Sequence, residues 1–199
     1  MTYSYPATLT DLLDEQVKDH PHKLALTFKE RRWSYAEFAR EVDRVANGFL
    51  NMGVEKGDRV ALVLPNCGEF LFAVFAATKI GAVFVPLNPQ YTAEEAEYVL
   101  QHSEASFCMT SPDLLPLIHS VRANCPDLKQ VVITGSGMAR NAVSWDSFVS
   151  RGASIIPSVS VDPEDLASIT YTSGTTDRPK GVMLSQYTYA FAPRTRAEG

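Results

Sequence analysis

Phe38, Val42, Val45 and Phe49 recur at intervals of three and four with mostly polar residues between them, the spacing of a helix that buries one face. Ser34 and Glu37 stand ahead of them at capping-box spacing and Gly53 follows as a C-cap, so this helix has both a start and a stop signal. Beyond it the apolar runs shorten. Residues 60–64 read as a strand, 69–80 as a largely buried helix and 83–87 as the next strand. Thr92 and Glu95 repeat the capping-box spacing before a helix over 93–102, which leads to a short strand at 106–109. Residues 113–124 read as a helix interrupted early by Pro116, and 130–134 as a strand.

Three successive helix-to-strand crossovers imply an α/β fold, layered, with a mostly parallel sheet flanked by helices. The glycine-rich turn at 135–137 is followed by no convincing helix and gets no dinucleotide role. Residues 152–165 read as a connecting loop that delivers the chain to an apolar strand at 166–170, and 29–32 as a hairpin turn.

Composition narrows the function classes. A chain of 199 residues, 45% of them hydrophobic, can bury a sizeable core as one domain. Its net charge of -5 and the lack of a Lys/Arg block argue against nucleic acid as a partner. The most apolar stretch, 70–87, is broken by Thr78, Lys79, Gly81 and Pro86, so no transmembrane segment is expected. Met1 to Pro6 lacks a basic n-region and an apolar core, and Cys67, Cys108 and Cys125 are odd in number and widely spaced. Both features fit a cytoplasmic protein with reduced thiols. His20 and His22 have no converging donors in the sequence and read as a solvated loop. His102 and His119 fall near predicted helix ends, where a favourable interaction with the helix dipole is the ordinary reading.

Chemistry concentrates in one place. Residues 171–181 read Tyr-Thr-Ser-Gly-Thr-Thr-Asp-Arg-Pro-Lys-Gly. Ser173, Thr175 and Thr176 offer hydroxyl donors, Gly174 lets the backbone approach an anion, and Lys180 brings a compact positive charge, which is the composition of a polyphosphate cradle. The order differs from a Walker A loop, because Lys180 precedes Gly181 and the apolar flank 182–184 looks like a second strand. The element is expected to be strand, loop, strand.

These residues resemble the nucleotide-phosphate loop of the adenylate-forming superfamily, which contains acyl-CoA synthetases, adenylation domains of peptide synthetases and luciferases. Trp33-Ser34-Tyr35-Ala36-Glu37-Phe38, Gly57-Asp58-Arg59-Val60-Ala61 running to Leu64-Pro65-Asn66, and Gly81-Ala82-Val83-Phe84-Val85-Pro86-Leu87-Asn88-Pro89 resemble that superfamily's N-terminal blocks in the expected order. The resemblance implies that residues 1–185 form a partial N-terminal AMP-binding domain, an incomplete part of the large domain, and that 186–199 are a divergent, irregular tail. It also implies an ATP-dependent carboxylate–CoA ligase of the acyl-CoA synthetase type, as used in fatty acid metabolism. There a carboxylate attacks the α-phosphate of ATP, Mg-pyrophosphate leaves, and the CoA thiol captures the acyl group. ATP, Mg²⁺ and CoA are the implied cofactors, and ATP and a carboxylic acid the implied small-molecule partners. Thr172, Ser173, Gly174, Thr175, Thr176 and Lys180 are the implied binding residues for the β- and γ-phosphates. No residue is assigned as catalytic or as a metal ligand.

Two departures accompany the resemblance. The superfamily usually has glycine where Asp177 stands, and a carboxylate about 5 Å from a phosphate charge at an effective dielectric of about 20 costs roughly 3 kcal/mol. The chain also stops at Gly199, whereas full members are more than twice as long and carry the adenine contacts, acyl pocket and C-terminal domain downstream. A truncated reading frame with an inactive product is therefore expected, prone to self-association through exposed sheet edges. Two alternatives stay open: a non-catalytic phosphate-binding or interaction module, and a fragment of an amino-acid adenylation domain.

Overall fold

The computed structural model describes residues 7–135, 140–150, 159–172 and 178–191. Helix α1 (Leu9–Asp19) is opened by a capping box between Thr8 and Asp11. Strands β1 (Leu24–Phe28) and β2 (Arg31–Ser34) then form an antiparallel hairpin, with Lys29 in the left-handed region at φ 53°. Helix α2 (Tyr35–Asn51) begins with the Ser34–Glu37 box in both directions, a device that stabilises a helix start by about 1 kcal/mol. Phe38, Val42, Val45 and Phe49 are all buried, as their spacing requires.

Strand β3 (Arg59–Val63) leads through α3 (Gly68–Lys79) to β4 (Val83–Pro86), and β4 through α4 (Ala93–His102) to β5 (Phe107–Thr110). After α5 (Leu115–Val121) come β6 (Gln130–Ile133), β7 (Val143–Ser144), α6 (Trp145–Ser150), β8 (Leu166–Thr172), β9 (Lys180–Ser185) and α7 (Gln186–Phe191). Among the described residues a seven-stranded sheet runs in the order β7-β6-β5-β3-β4-β8-β9. Every neighbouring pair in it is parallel except β8 and β9. The mostly parallel sheet expected from the crossovers is therefore present.

Alternation along β3 explains the layers. Val60 and Leu62 join a core with Phe38, Val45, Phe49, Phe72 and Phe148, so α2, α3 and α6 cover that face. Ala61 and Val63 face the other way, into a core with Ala96, Val99, Leu100 and Ile118 from α4 and α5. Parallel strands covered on both faces are the usual solution for crossover units.

Three expectations are corrected. Pro116 does not interrupt a helix: it occupies the first turn of α5, where its missing N–H would have had no partner. The turn after Gly135 does lead to a helix, α6, whose Phe148 is completely buried. The tail expected to be irregular from residue 186 begins with a helix, α7, and residues 192–199 lie outside the described residues. Helix α7 forms because it has somewhere to dock. Gln186 is fully buried and its Nε2 donates to the Thr78 carbonyl at 3.3 Å, while Tyr189 Oη lies 2.9 Å from Ser168 Oγ.

Candidate functional site

The strand, loop, strand reading of the hydroxyl-rich segment holds for its two limbs. β8 and β9 pair antiparallel, with Thr172 opposite Lys180, Tyr171 opposite Gly181 and Thr170 opposite Val182. β8 is itself parallel to β4. Its carboxyl end therefore lies at the same sheet edge as the carboxyl ends of β3 to β6, the edge where open α/β sheets bind ligands. Of the residues singled out in the sequence, Thr172 closes β8 and Lys180 opens β9, and both are exposed. Ser173, Gly174, Thr175, Thr176 and Asp177 lie outside the described residues.

Helix α4 braces both limbs. Its Tyr98 donates a hydrogen bond from Oη to the Pro179 carbonyl at 3.2 Å, and the Arg178 guanidinium stacks over the Tyr98 ring with 5.3 Å to the centroid. One turn later His102 places Nδ1 2.7 Å from Tyr171 Oη. The rings of Tyr98, His102 and Tyr171 form one cluster, at 5.3 Å for Tyr98 to His102, 5.7 Å for His102 to Tyr171 and 6.4 Å for Tyr98 to Tyr171. Tyr171 is 8% exposed, and burial first, then the neighbouring Tyr98 and Tyr91, push its phenol up to about 12. It stays a neutral hydrogen-bonding group through the physiological range.

His102, which the sequence alone would leave as a helix-end charge, is thus tied to the candidate loop across 69 residues. Tyr98 is tied to it across 81. No local pattern marks either contact, since only the packing of α4 on the carboxyl edge brings them together.

Arg178 and Lys180 put two cations on the second limb, within one turn of the loop. Between that limb and α4 runs a groove of about 250 Å³ lined by Glu94, Glu95, Glu97, Tyr98, Arg178 and Pro179. Thr172, Arg178 and Lys180 at the mouth of the hairpin suit a polyanion, while the three glutamates give the groove beside them the opposite sign. Among the described residues no group of three or more His, Cys, Asp or Glu side chains is placed to hold a metal ion.

The three thiols take no part. Burial pushes Cys67 up to about 11 and Cys108 up to about 12, and it raises Cys125 as well, so none is a thiolate nucleophile near neutral pH. His20 caps the end of α1 and His22 lies in the following turn, both exposed. Among the described residues no helix is long and apolar enough to cross a membrane.

Residues 13–196 match the family described as AMP-binding enzyme. A crotonobetaine/carnitine–CoA ligase of Salmonella paratyphi A is 37% identical over 193 residues, which cover 92% of this chain and 37% of the relative. The Salmonella agona enzyme of the same name is 38% identical over 195 residues with the same coverage. The fold is similar to that of the anthranilate CoA ligase AuaEII in complex with anthranoyl-AMP, with a TM-score of 0.90 at 27% identity over 94% of this chain and 36% of that one. It is also similar to a long-chain-fatty-acid-CoA ligase from Archaeoglobus fulgidus, with a TM-score of 0.85 at 27% identity over 98% of this chain and 40% of that one. The chain therefore spans little more than a third of the length of these relatives.

Proposed function

Because the chain belongs to the AMP-binding enzyme family, we propose that it supplies the nucleotide-phosphate part of an ATP-dependent carboxylate–CoA ligase. One observation carries this reading: Thr172 and Lys180 are paired at the mouth of a hairpin on the carboxyl edge of a parallel sheet, and the segment they bracket is Ser-Gly-Thr-Thr-Asp-Arg-Pro. In the proposed reaction a carboxylate oxygen attacks the α-phosphorus of ATP, the bond to the bridging oxygen breaks, and pyrophosphate leaves. The CoA sulfur then attacks the acyl carbon and AMP departs with the electron pair.

Thr172, Ser173, Gly174, Thr175 and Thr176 are proposed to hold the β- and γ-phosphates through hydroxyls and backbone N–H groups, and Lys180 to offset their charge. Their work is positional and electrostatic. Mg²⁺ would arrive with the nucleotide. The relatives' names specify crotonobetaine or carnitine, anthranilate and long-chain fatty acids, so the proposal stops at a carboxylic acid. A cytoplasmic setting, suited to three unpaired thiols, belongs to the same reading.

The 199 residues by themselves are proposed to bind phosphate without completing the reaction, because a catalyst needs its groups assembled together and this chain matches 37% of the relatives' length. Self-association is part of the proposal too. Among the described residues β9 is the last strand of the sheet, and Val182 and Met183 on it are exposed, Met183 at 70%. An open strand edge of this kind templates pairing.

Calorimetric titration with Mg-ATP tests the reading. Binding that weakens about tenfold in Lys180→Ala supports it, in line with loss of one charge-assisted contact. No heat in the wild-type chain with ATP or pyrophosphate overturns it. A thioester assay across short, long and aromatic acids should give no turnover with the 199 residues alone, and turnover above a no-enzyme control would refute the division of labour.

A further inference from the structure

We propose that Tyr98 and His102 are positioning residues that hold Thr172 and Lys180 in register for a phosphate ligand, a proposal that rests on the function assigned to this hairpin above. The geometry is specific. His102 grips Tyr171, the residue immediately before Thr172, and Tyr98 grips Pro179, the residue immediately before Lys180. Each contact therefore acts one residue away from a group meant to face phosphate, on opposite limbs of the hairpin.

Helix α4 is built to transmit such a constraint. Thr92 and Glu95 close a capping box at its start, and Ala96, Val99 and Leu100 are almost completely buried, so the helix is fixed in the core along its inner face. Residues 98 and 102 are four apart and lie on one face, separated by about 6 Å along the axis. Tyr98 reaches the second limb and His102 the first, so one helix face touches both limbs at once. The second limb is held further by the Arg178 guanidinium over the Tyr98 ring.

This brace acts at the mouth of the hairpin, beyond the registered strand pairing. β8 meets β4 at one registered pair, Phe84 with Ser168, four residues back from Thr172. β9 is an edge strand whose other side has no strand neighbour among the described residues. Ordering two limbs before the ligand arrives lowers the entropy lost on binding, which is what a positioning residue contributes.

Three variants separate positioning from general stability. Tyr98→Phe removes one hydroxyl and keeps the ring under Arg178. His102→Ala removes the Tyr171 partner, and His102→Asn returns an amide to the place of Nδ1. Hydrogen exchange without nucleotide should show the amides of residues 171, 172, 180 and 181 exchanging about tenfold faster in Tyr98→Phe and His102→Ala, with the global unfolding midpoint close to wild type. His102→Asn should restore protection.

Titration with Mg-ATP and with pyrophosphate should show binding weakened about threefold to tenfold in the first two variants and recovered in His102→Asn. Unchanged exchange in both Tyr98→Phe and His102→Ala overturns the proposal, and so does faster exchange with undiminished phosphate binding. If the wild-type chain binds neither ligand, the phosphate reading of the hairpin falls, and the exchange measurement still decides whether α4 holds its limbs.

Discussion

Gly181 lies directly across the hairpin from Tyr171, and a Cβ placed on it would stand 3.3 Å from Tyr171 Cζ. The same Cβ would meet Ile169 Cγ2 at 2.8 Å. The glycine thus provides the space over which the Tyr171 ring reaches His102, and its φ is not in the left-handed region.

Gly181→Ala is therefore expected to destabilise the chain by about 1 to 3 kcal/mol through overpacking, and to disturb the Tyr171–His102 contact. A double-mutant cycle with Ile169→Ala checks the cause. The penalty should shrink in that background, because the 2.8 Å contact is gone, and simple additivity would show that the strain lies elsewhere.

The packing of α6 on α2 sets a second test. A Cβ on Gly48 would stand 2.7 Å from the ring of Phe148, a completely buried residue wedged against Phe49 and Phe107. Alanine in a helix interior gains about 1 kcal/mol over glycine. Overpacking costs roughly 1 to 3 kcal/mol, so Gly48→Ala should lower the unfolding free energy despite the better propensity. Urea unfolding measures the sign, and a stabilised variant would mean that α6 yields without cost.

Tyr171 sets a test in alkaline solution. Burial raises its phenol to about 12 from an ordinary value of 10, so the unfolded chain releases that proton more readily than the folded one. Its contribution is fully present below pH 10 and is lost as the pH climbs from about 10 towards 12. Tyr171→Phe should remove this loss. The stability difference between wild type and Tyr171→Phe should be constant below pH 10 and shift against the wild type above it, and a difference that stays flat to pH 12 would contradict the burial of the phenol.

Much of this fold was legible because its signals are local. The Ser34–Glu37 and Thr92–Glu95 pairs marked α2 and α4 at their first residues, since a capping box depends on positions three apart. The parallel sheet followed from alternating helix and strand signals. Thr8 and Asp11 carry the same box ahead of α1, with aspartate in the place of the usual glutamate. Helix α6 is only six residues long, too short for a periodic pattern, and it is fixed by the fit of Phe148 into a pocket formed by distant elements. Helix α7 is short for the same reason and forms through contacts with Thr78 and Ser168. The candidate site divides in the same way. Its hydroxyls, glycine and lysine are contiguous and readable, whereas the bracing residues Tyr98 and His102 come from a helix some 70 to 80 residues upstream and acquire meaning only when the chain closes.

Asp177 sets the last test, because it places a carboxylate beside the residues proposed to hold phosphate. An Asp tolerates the left-handed backbone better than most residues, so the substitution does not forbid the loop conformation that glycine would allow. Its charge is the larger effect. Repulsion of roughly 1 to 3 kcal/mol at an effective dielectric near 20 converts to about five- to a hundredfold in affinity. Asp177→Gly should accordingly bind Mg-ATP more tightly than wild type by that factor, and Asp177→Asn should recover most of the gain, since it removes the charge and keeps the size. A gain in Asp177→Gly that Asp177→Asn does not share would assign the effect to backbone freedom, and equal affinity in all three would mean that the carboxylate points away from the phosphates.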